Sequence, residues 1–215
     1  PGIEIDNYYI EKKLSRRRPS GKIATARVEA DEYKIVSGIH AGYTTGTPLC
    51  ILIPNTNTKS ADYEKLRTTP RPSHADFTAE CKYHGYQDAR GGGHFSGRIT
   101  AALVAAGAIL ESALAKKGIR LGTHLAALGG ATERAFSSVS DLDSLSERSF
   151  PTFTEGAEAE MRRRAEAAAE SGDSVGGILE TAVIGMPAGI GEPWFDSVES
   201  MLSHGLFSIP AVKGV

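Results

Sequence analysis

Between Thr69 and Ile109 the chain collects residue types that handle anions and protons. Arg71-Pro72-Ser73-His74 reads as a proline-locked turn, and Gly91-Gly92-Gly93 as a flexible loop. His94-Phe95-Ser96-Gly97-Arg98 then opens a long apolar run. Arginines fork onto phosphate or carboxylate, and histidine is the side-chain type that titrates near neutrality. Glycines let backbone approach a ligand closely, and a helix start turns unpaired N–H groups toward an anion. The pattern predicts an anionic-ligand site with a proton-transfer residue. Each member also has an ordinary structural use. A lone histidine is more often structural than catalytic, an arginine can simply pair with a carboxylate, and three glycines can be a turn.

No other chemical motif competes. GxSxG, HExxH and paired-cysteine spacings are absent, so no metal site is expected, and Ser96 is not an obvious nucleophile. The triple glycine does not follow a strand and lacks the Lys-Ser/Thr of a phosphate-binding loop, which excludes a dinucleotide fold and a P-loop. A formal net charge of −2 leaves no bulk positive surface for nucleic acid or membrane, so any cationic site must come from local clustering. At 215 residues the chain is long enough for a substantial core and reads as one domain, 1–215, or a tight pair of lobes. Cys50 and Cys81 read as reduced thiols of a cytoplasmic protein. No apolar run reads as long enough to span a bilayer. The chain begins with Pro1 rather than Met and stops at Val215 in an apparent turn into a strand, so both ends read as cut.

The positioning elements follow from periodicity and breakers. Asp6 should cap a helix to about Leu14, which runs into Arg16-Arg17-Arg18 before Pro19 and Gly21. Cations at a helix end suit its dipole, and by pattern alone that ordinary reading leads over a grip on a multiply charged anion. Residues 33–40 read as a strand, 41–43 as a turn, and 47–54 as a strand pairing back in a hairpin. A helical turn is expected at 61–66. A helix should cover 74–83, capped by Ser73 and closed by His84-Gly85. The longest helix should run 98–117, with Ile99, Leu103, Ala106, Leu110 and Leu114 as its seam. A strand is expected at 122–130, a helical turn near 142–147, and an amphipathic helix at 154–171. In that helix Glu158 and Glu160 should neutralise Arg162 and Arg164. A strand at 174–186 should alternate through Val175, Ile178, Thr181 and Val183. A last helix, 194–206, should turn Phe195, Val198, Leu202 and Leu206 to the core. This order gives an α+β fold with antiparallel pairing.

The residues also resemble the chorismate synthase family. The likeness rests on Arg71-Pro-Ser-His74-Ala-Asp76, Lys82-Tyr83, Asp88, Arg90-Gly-Gly-Gly93, Ser96-Gly-Arg98, Thr100 and Val104-Ala-Ala-Gly-Ala108. It extends in order through Arg16-Arg17-Arg18-Pro19, Ser37-Gly38, Thr44-Thr45-Gly46-Thr47-Pro48 and Asp62-Tyr63. Later come Asp173-Ser-Val-Gly-Gly177, Gly189-Ile-Gly-Glu-Pro193 and Ser208-Ile-Pro-Ala-Val-Lys-Gly-Val215. The resemblance covers essentially the whole chain.

The family resemblance implies a β-α-β sandwich, with helices packed between antiparallel sheets, in a cytoplasmic homotetramer. It implies a lyase of aromatic amino acid biosynthesis that eliminates phosphate and a ring proton from 5-enolpyruvylshikimate-3-phosphate to give chorismate. Reduced FMN would be required without net redox change, with NADPH a possible reductant. By the same resemblance Arg18, Lys22, Arg71 and Arg98 hold the substrate's anionic groups, with Ser96 beside them. His74 is the proton donor, to the leaving phosphate or the reduced flavin. His94, Phe95 and Ser96 contact FMN, and Arg17 and Lys22 fall at a nicotinamide site of some members.

The departures are specific. His94-Phe-Ser-Gly-Arg-Ile99 stands where most members have Arg-Ser-Ser-Ala-Arg-Glu, and Lys22 stands where Arg is usual. The family's Gly-Glu-Ser-His-Gly block, with its other histidine, is absent, as is the C-terminal part with most FMN contacts. The alternative is therefore an incompetent fragment that only binds phosphate or another anionic ligand. A divergent phosphate-binding protein is a third reading.

Overall fold

The computed structural model describes residues 1–19, 30–55, 68–88 and 95–215. The expected helical turn at 61–66, the triple glycine, Lys22 and His94 lie outside the described residues. Helix α1 (Asn7–Arg17) starts as expected: the Asp6 carboxylate accepts from the Tyr9 N–H at 2.9 Å. It runs one turn past Leu14, because the dipole favours Arg16 and Arg17 in its last turn.

Four short strands follow: β1 (Lys34–Ser37), β2 (Ile39–His40), β3 (Tyr43–Thr44) and β4 (Cys50–Leu52). The single strand expected at 33–40 is broken at Gly38. Its φ of +83° is left-handed, and an added Cβ would lie 2.7 Å from Leu49 Cα. The break divides the hairpin into two antiparallel pairs, β1 with β4 and β2 with β3. Ala41 and Gly42 both take positive φ, which suits a two-residue turn between His40 and Tyr43.

Helix α2 (Asp76–Tyr83) begins two residues later than expected, and Ser73 does not cap it. Ser73 sits at φ 59°, inside a turn that the Asp76 carboxylate closes instead. His84 ends the helix in the left-handed region, as its pairing with Gly85 suggests. After the 3₁₀ turn Gly97–Ile99 comes α3 (Thr100–Ala115).

The α3 seam differs from expectation. Ala101, Ala105, Ala108 and Ile109 are the buried residues, while Ile99, Leu103 and Leu110 are exposed. Small side chains let α3 approach α1 closely. Together they enclose a core of Ile5, Ile10, Leu14, Ala105, Ala108 and Ile109, covered by Ile35, Leu49 and Ile51 of the hairpin region. The run Gly97–Ala115 has a mean hydropathy of 1.5 and is long and apolar enough to cross a membrane by length and composition, contrary to the sequence expectation. An interior helix passes the same test, so the run carries no membrane assignment by itself.

The second half is built on β5 (Arg120–Leu128), β6 (Ala131–Thr132) and β7 (Gly177–Ile184), paired antiparallel in the order β6-β5-β7. Helices α4 (Ser140–Glu147) and α5 (Glu155–Glu170) pack on this sheet, with Met161 fully buried against Ala131 and Phe150. The Thr154 hydroxyl caps α5. Glu158 holds Arg162 at 2.8 Å and Glu160 holds Arg164 at 2.7 Å, so the second triple arginine is a charged helix face. His124 is buried between the Phe136 and Phe153 rings and bonds the cross-strand Glu180 at 2.6 Å, an internal structural histidine.

In β7 the alternation falls on the other residues. Glu180, Ala182 and Ile184 are partly covered, whereas Ile178 and Val183 are exposed. Helix α6 (Val198–Phe207) has no buried residue, and Phe195, Leu202 and Leu206 are exposed rather than turned to a core. The Ser197 hydroxyl caps the helix by accepting from the Ser200 N–H.

Candidate functional site

Among the predicted site residues, Arg71 with His74 and Arg17 with Arg98 form two carboxylate-centred clusters. The first lies at the start of α2. Arg71 forks onto Asp76: its Nε donates to Oδ2 at 2.8 Å, its Nη2 to Oδ1 at 2.9 Å, and its backbone N–H also reaches Oδ2 at 2.9 Å. His74 Nδ1 lies 2.6 Å from Asp76 Oδ1. Nδ1 is also 3.1 Å from Arg71 Nη2, but it cannot donate to Asp76 and accept from Arg71 together. The shorter contact assigns the proton to Nδ1, donated to Asp76, and leaves Nε2 as the acceptor nitrogen, 3.4 Å from Arg71 Nη2. Hydrogen bonds from Arg71 hold the Asp76 carboxyl well below the usual range, against the opposing effect of burial. Asp76 therefore stays ionised and orients both Arg71 and His74.

The second cluster joins the end of α1 to the start of α3. Arg17 and Arg98 bond opposite oxygens of Asp31, at 2.8 and 2.6 Å. Arg17 also donates from Nε to Thr100 Oγ1 and from Nη2 to the Arg98 carbonyl, both at 3.3 Å. Arg98 reaches the Pro54 carbonyl at 3.0 Å. The three consecutive arginines diverge: Arg16 and Arg17 lie about 100° apart on α1, and Arg18 is its extended C-cap. Arg16 points to the Leu145 and Arg148 carbonyls, and Arg18 donates to the Ala30 carbonyl.

Ser96 and Phe95 stand next to Arg98. The Ser96 hydroxyl accepts from the Arg98 N–H at 3.3 Å, capping the 3₁₀ turn. The half-exposed Phe95 ring lies 6.3 Å from Tyr83 at the far end of α2. That ring contact ties the helix that follows Arg71 and His74 to the turn carrying Arg98.

The chorismate synthase family profile matches residues 1–215. The chain belongs to the chorismate synthase family. Curated relatives of that name include the Thermococcus kodakarensis protein, 43% identical over 215 residues, covering 100% of this chain and 59% of the relative. The Chitinophaga pinensis chorismate synthase is 46% identical over 214 residues, covering 100% of this chain and 56% of the relative. A crystal structure of a chorismate synthase superposes with a TM-score of 0.73 at 23% identity, over 99% of this chain and 61% of that one. The α+β class and the fold expected from the family resemblance are thereby borne out. The chain spans under two thirds of the length of these relatives.

Within this chorismate synthase family member, sequence reasoning overlooked Asp31 and gave Asp76 no role beyond its place in the Arg71–Asp76 motif. Asp76 had a usable signal, because it lies five residues from Arg71 and two from His74. Asp31 had none: it stands between Ala30 and Glu32, and its partners are 14 and 67 residues away. A cleft of about 310 Å³ between α1, α3, α4 and β5 is lined by none of the predicted site residues. Of its cations, Lys13 and Arg120 pair with Glu111 and Asp143, and Arg16 donates to the Leu145 and Arg148 carbonyls.

Proposed function

We propose that the chain is the central part of an enzyme that eliminates phosphate from 5-enolpyruvylshikimate-3-phosphate to give chorismate. Membership of the family over residues 1–215 carries this reading. The chemistry on the page is compatible with it. The substrate bears a phosphate and two carboxylates, and Arg18, Arg71 and Arg98 supply donors suited to them. His74, held through Nδ1 by Asp76, keeps Nε2 for moving a proton to or from the reacting groups.

Phe95 and Ser96 would lie against reduced FMN, whose chemistry there would be a transient loan of an electron with no net redox change. The half-exposed ring of Phe95 suits a flat apolar cofactor face, and Ser96 offers a hydroxyl beside it. Arg17 belongs to the Arg98 cluster and would meet a nicotinamide phosphate only through that cluster. A homotetramer in the cytoplasm is the assembly and location that go with this reading.

The full-length protein, given reduced FMN and 5-enolpyruvylshikimate-3-phosphate, is expected to release chorismate and phosphate. A different product would favour a divergent phosphate-binding protein. Titration of FMN into the 215-residue chain separates the alternative of a bare anion-binding module. Tight, saturable flavin binding would count against that alternative.

A further inference from the structure

We infer that Asp31 is the positioning residue of the anion site, an inference that rests on the reading of Arg98 given above. Its side chain is only 1% exposed, against 20% for Arg17 and 16% for Arg98. The carboxylate is thus sealed while the guanidinium groups remain partly reachable. Asp31 sits at φ 51°, a left-handed conformation uncommon for a residue with a Cβ. That backbone turns the carboxylate inward between the end of α1 and the start of α3. Oδ2 takes Nη1 of Arg17 and Oδ1 takes Nη1 of Arg98.

Each arginine has a second anchor: Thr100 and the Arg98 carbonyl for Arg17, the Pro54 carbonyl for Arg98. A guanidinium held at two points is fixed in position and in plane, which is the preorganisation that anion recognition needs. One buried carboxylate between two arginines also offsets their mutual repulsion and still leaves the trio one positive charge. An anion competing for these arginines would have to displace a sealed carboxylate. Asp31 therefore presents the arginines rather than substituting for the ligand.

The test uses the full-length protein, with substrate affinity measured by calorimetry and KM and kcat measured separately. Arg98→Ala is expected to weaken substrate binding by about tenfold or more. Asp31→Asn is expected to raise KM by a similar factor with a smaller change in kcat, and to add little in an Arg98→Ala background, because the two act as one unit. Asp31→Glu keeps the charge and the pairing but moves the arginines by a methylene. It is expected to raise KM even where the melting temperature is unchanged, and it covers the case in which Asp31→Asn fails to fold. Unchanged or tighter binding in foldable Asp31 variants, with Arg98→Ala still weakened, overturns the inference and leaves the functional reading intact. Unchanged binding in Arg98→Ala overturns the reading itself.

Discussion

His74 Nδ1 lies 2.6 Å from Asp76 Oδ1, across two residues of a turn closed by the same carboxylate. The contact fixes the imidazole tautomer, and Arg71 fixes the carboxylate in turn. The positions of the His74 ring and the Arg71 guanidinium are therefore mechanically coupled.

His74→Ala in the full-length protein should lower kcat by about 100- to 10,000-fold, the usual range for one general acid or base, with little change in KM. Asp76→Asn should lower it less, since the ring remains and only the charge and one acceptor oxygen of its orienting group are lost. Steady-state chorismate formation checks both, and normal turnover in His74→Ala would remove the role assigned to it.

Arg71→Lys preserves the charge but not the Nε–Nη2 fork onto Asp76. It should weaken substrate binding about tenfold, a loss of about 1.4 kcal/mol. Calorimetric titration reads this directly, and an unchanged affinity would mean that the fork does not set Arg71's geometry.

The Asp76 carboxyl is held below its unfolded value of about 3.9 by Arg71. A depressed folded value means stabilisation that is complete above the unfolded value. It is lost as the pH falls through the folded one. The unfolding free energy of the chain should exceed that of Asp76→Asn by about 1–3 kcal/mol at pH 7. The gap should narrow below about pH 4. Urea unfolding at several pH values measures it, and a gap constant down to pH 3 would contradict the ion-pair account.

The packed face of α3 can be located by substitution. Ala105→Leu, at a fully buried position against α1, should cost about 1–3 kcal/mol through overpacking. Leu103→Ala, at a position 52% exposed, should change stability by no more than about 0.5 kcal/mol. Denaturant unfolding of the two variants of this chain compares them; the reverse order would restore the leucine seam.

What the sequence determined was local. The Asp6 cap of α1, the Thr154 cap of α5, the His84 terminator of α2 and the Glu–Arg pairs of α5 are all set within about one turn of chain. Arg71, His74 and Arg98 were singled out because their types and spacing survive without knowledge of the fold, and Ser96 by the family resemblance.

Tertiary structure decided the rest. Which face of α3 is buried depends on how closely α1 approaches, and alanines admit an approach that leucines would block. The divergence of Arg16, Arg17 and Arg18 depends on acceptors elsewhere in the chain. Asp31 becomes a site residue only because folding brings α1 and α3 to its two oxygens, and Arg98 comes from 67 residues away. Short-range hydrogen bonding and propensity are written in neighbouring residues, whereas the pairing of distant charges is fixed only when packing closes around them.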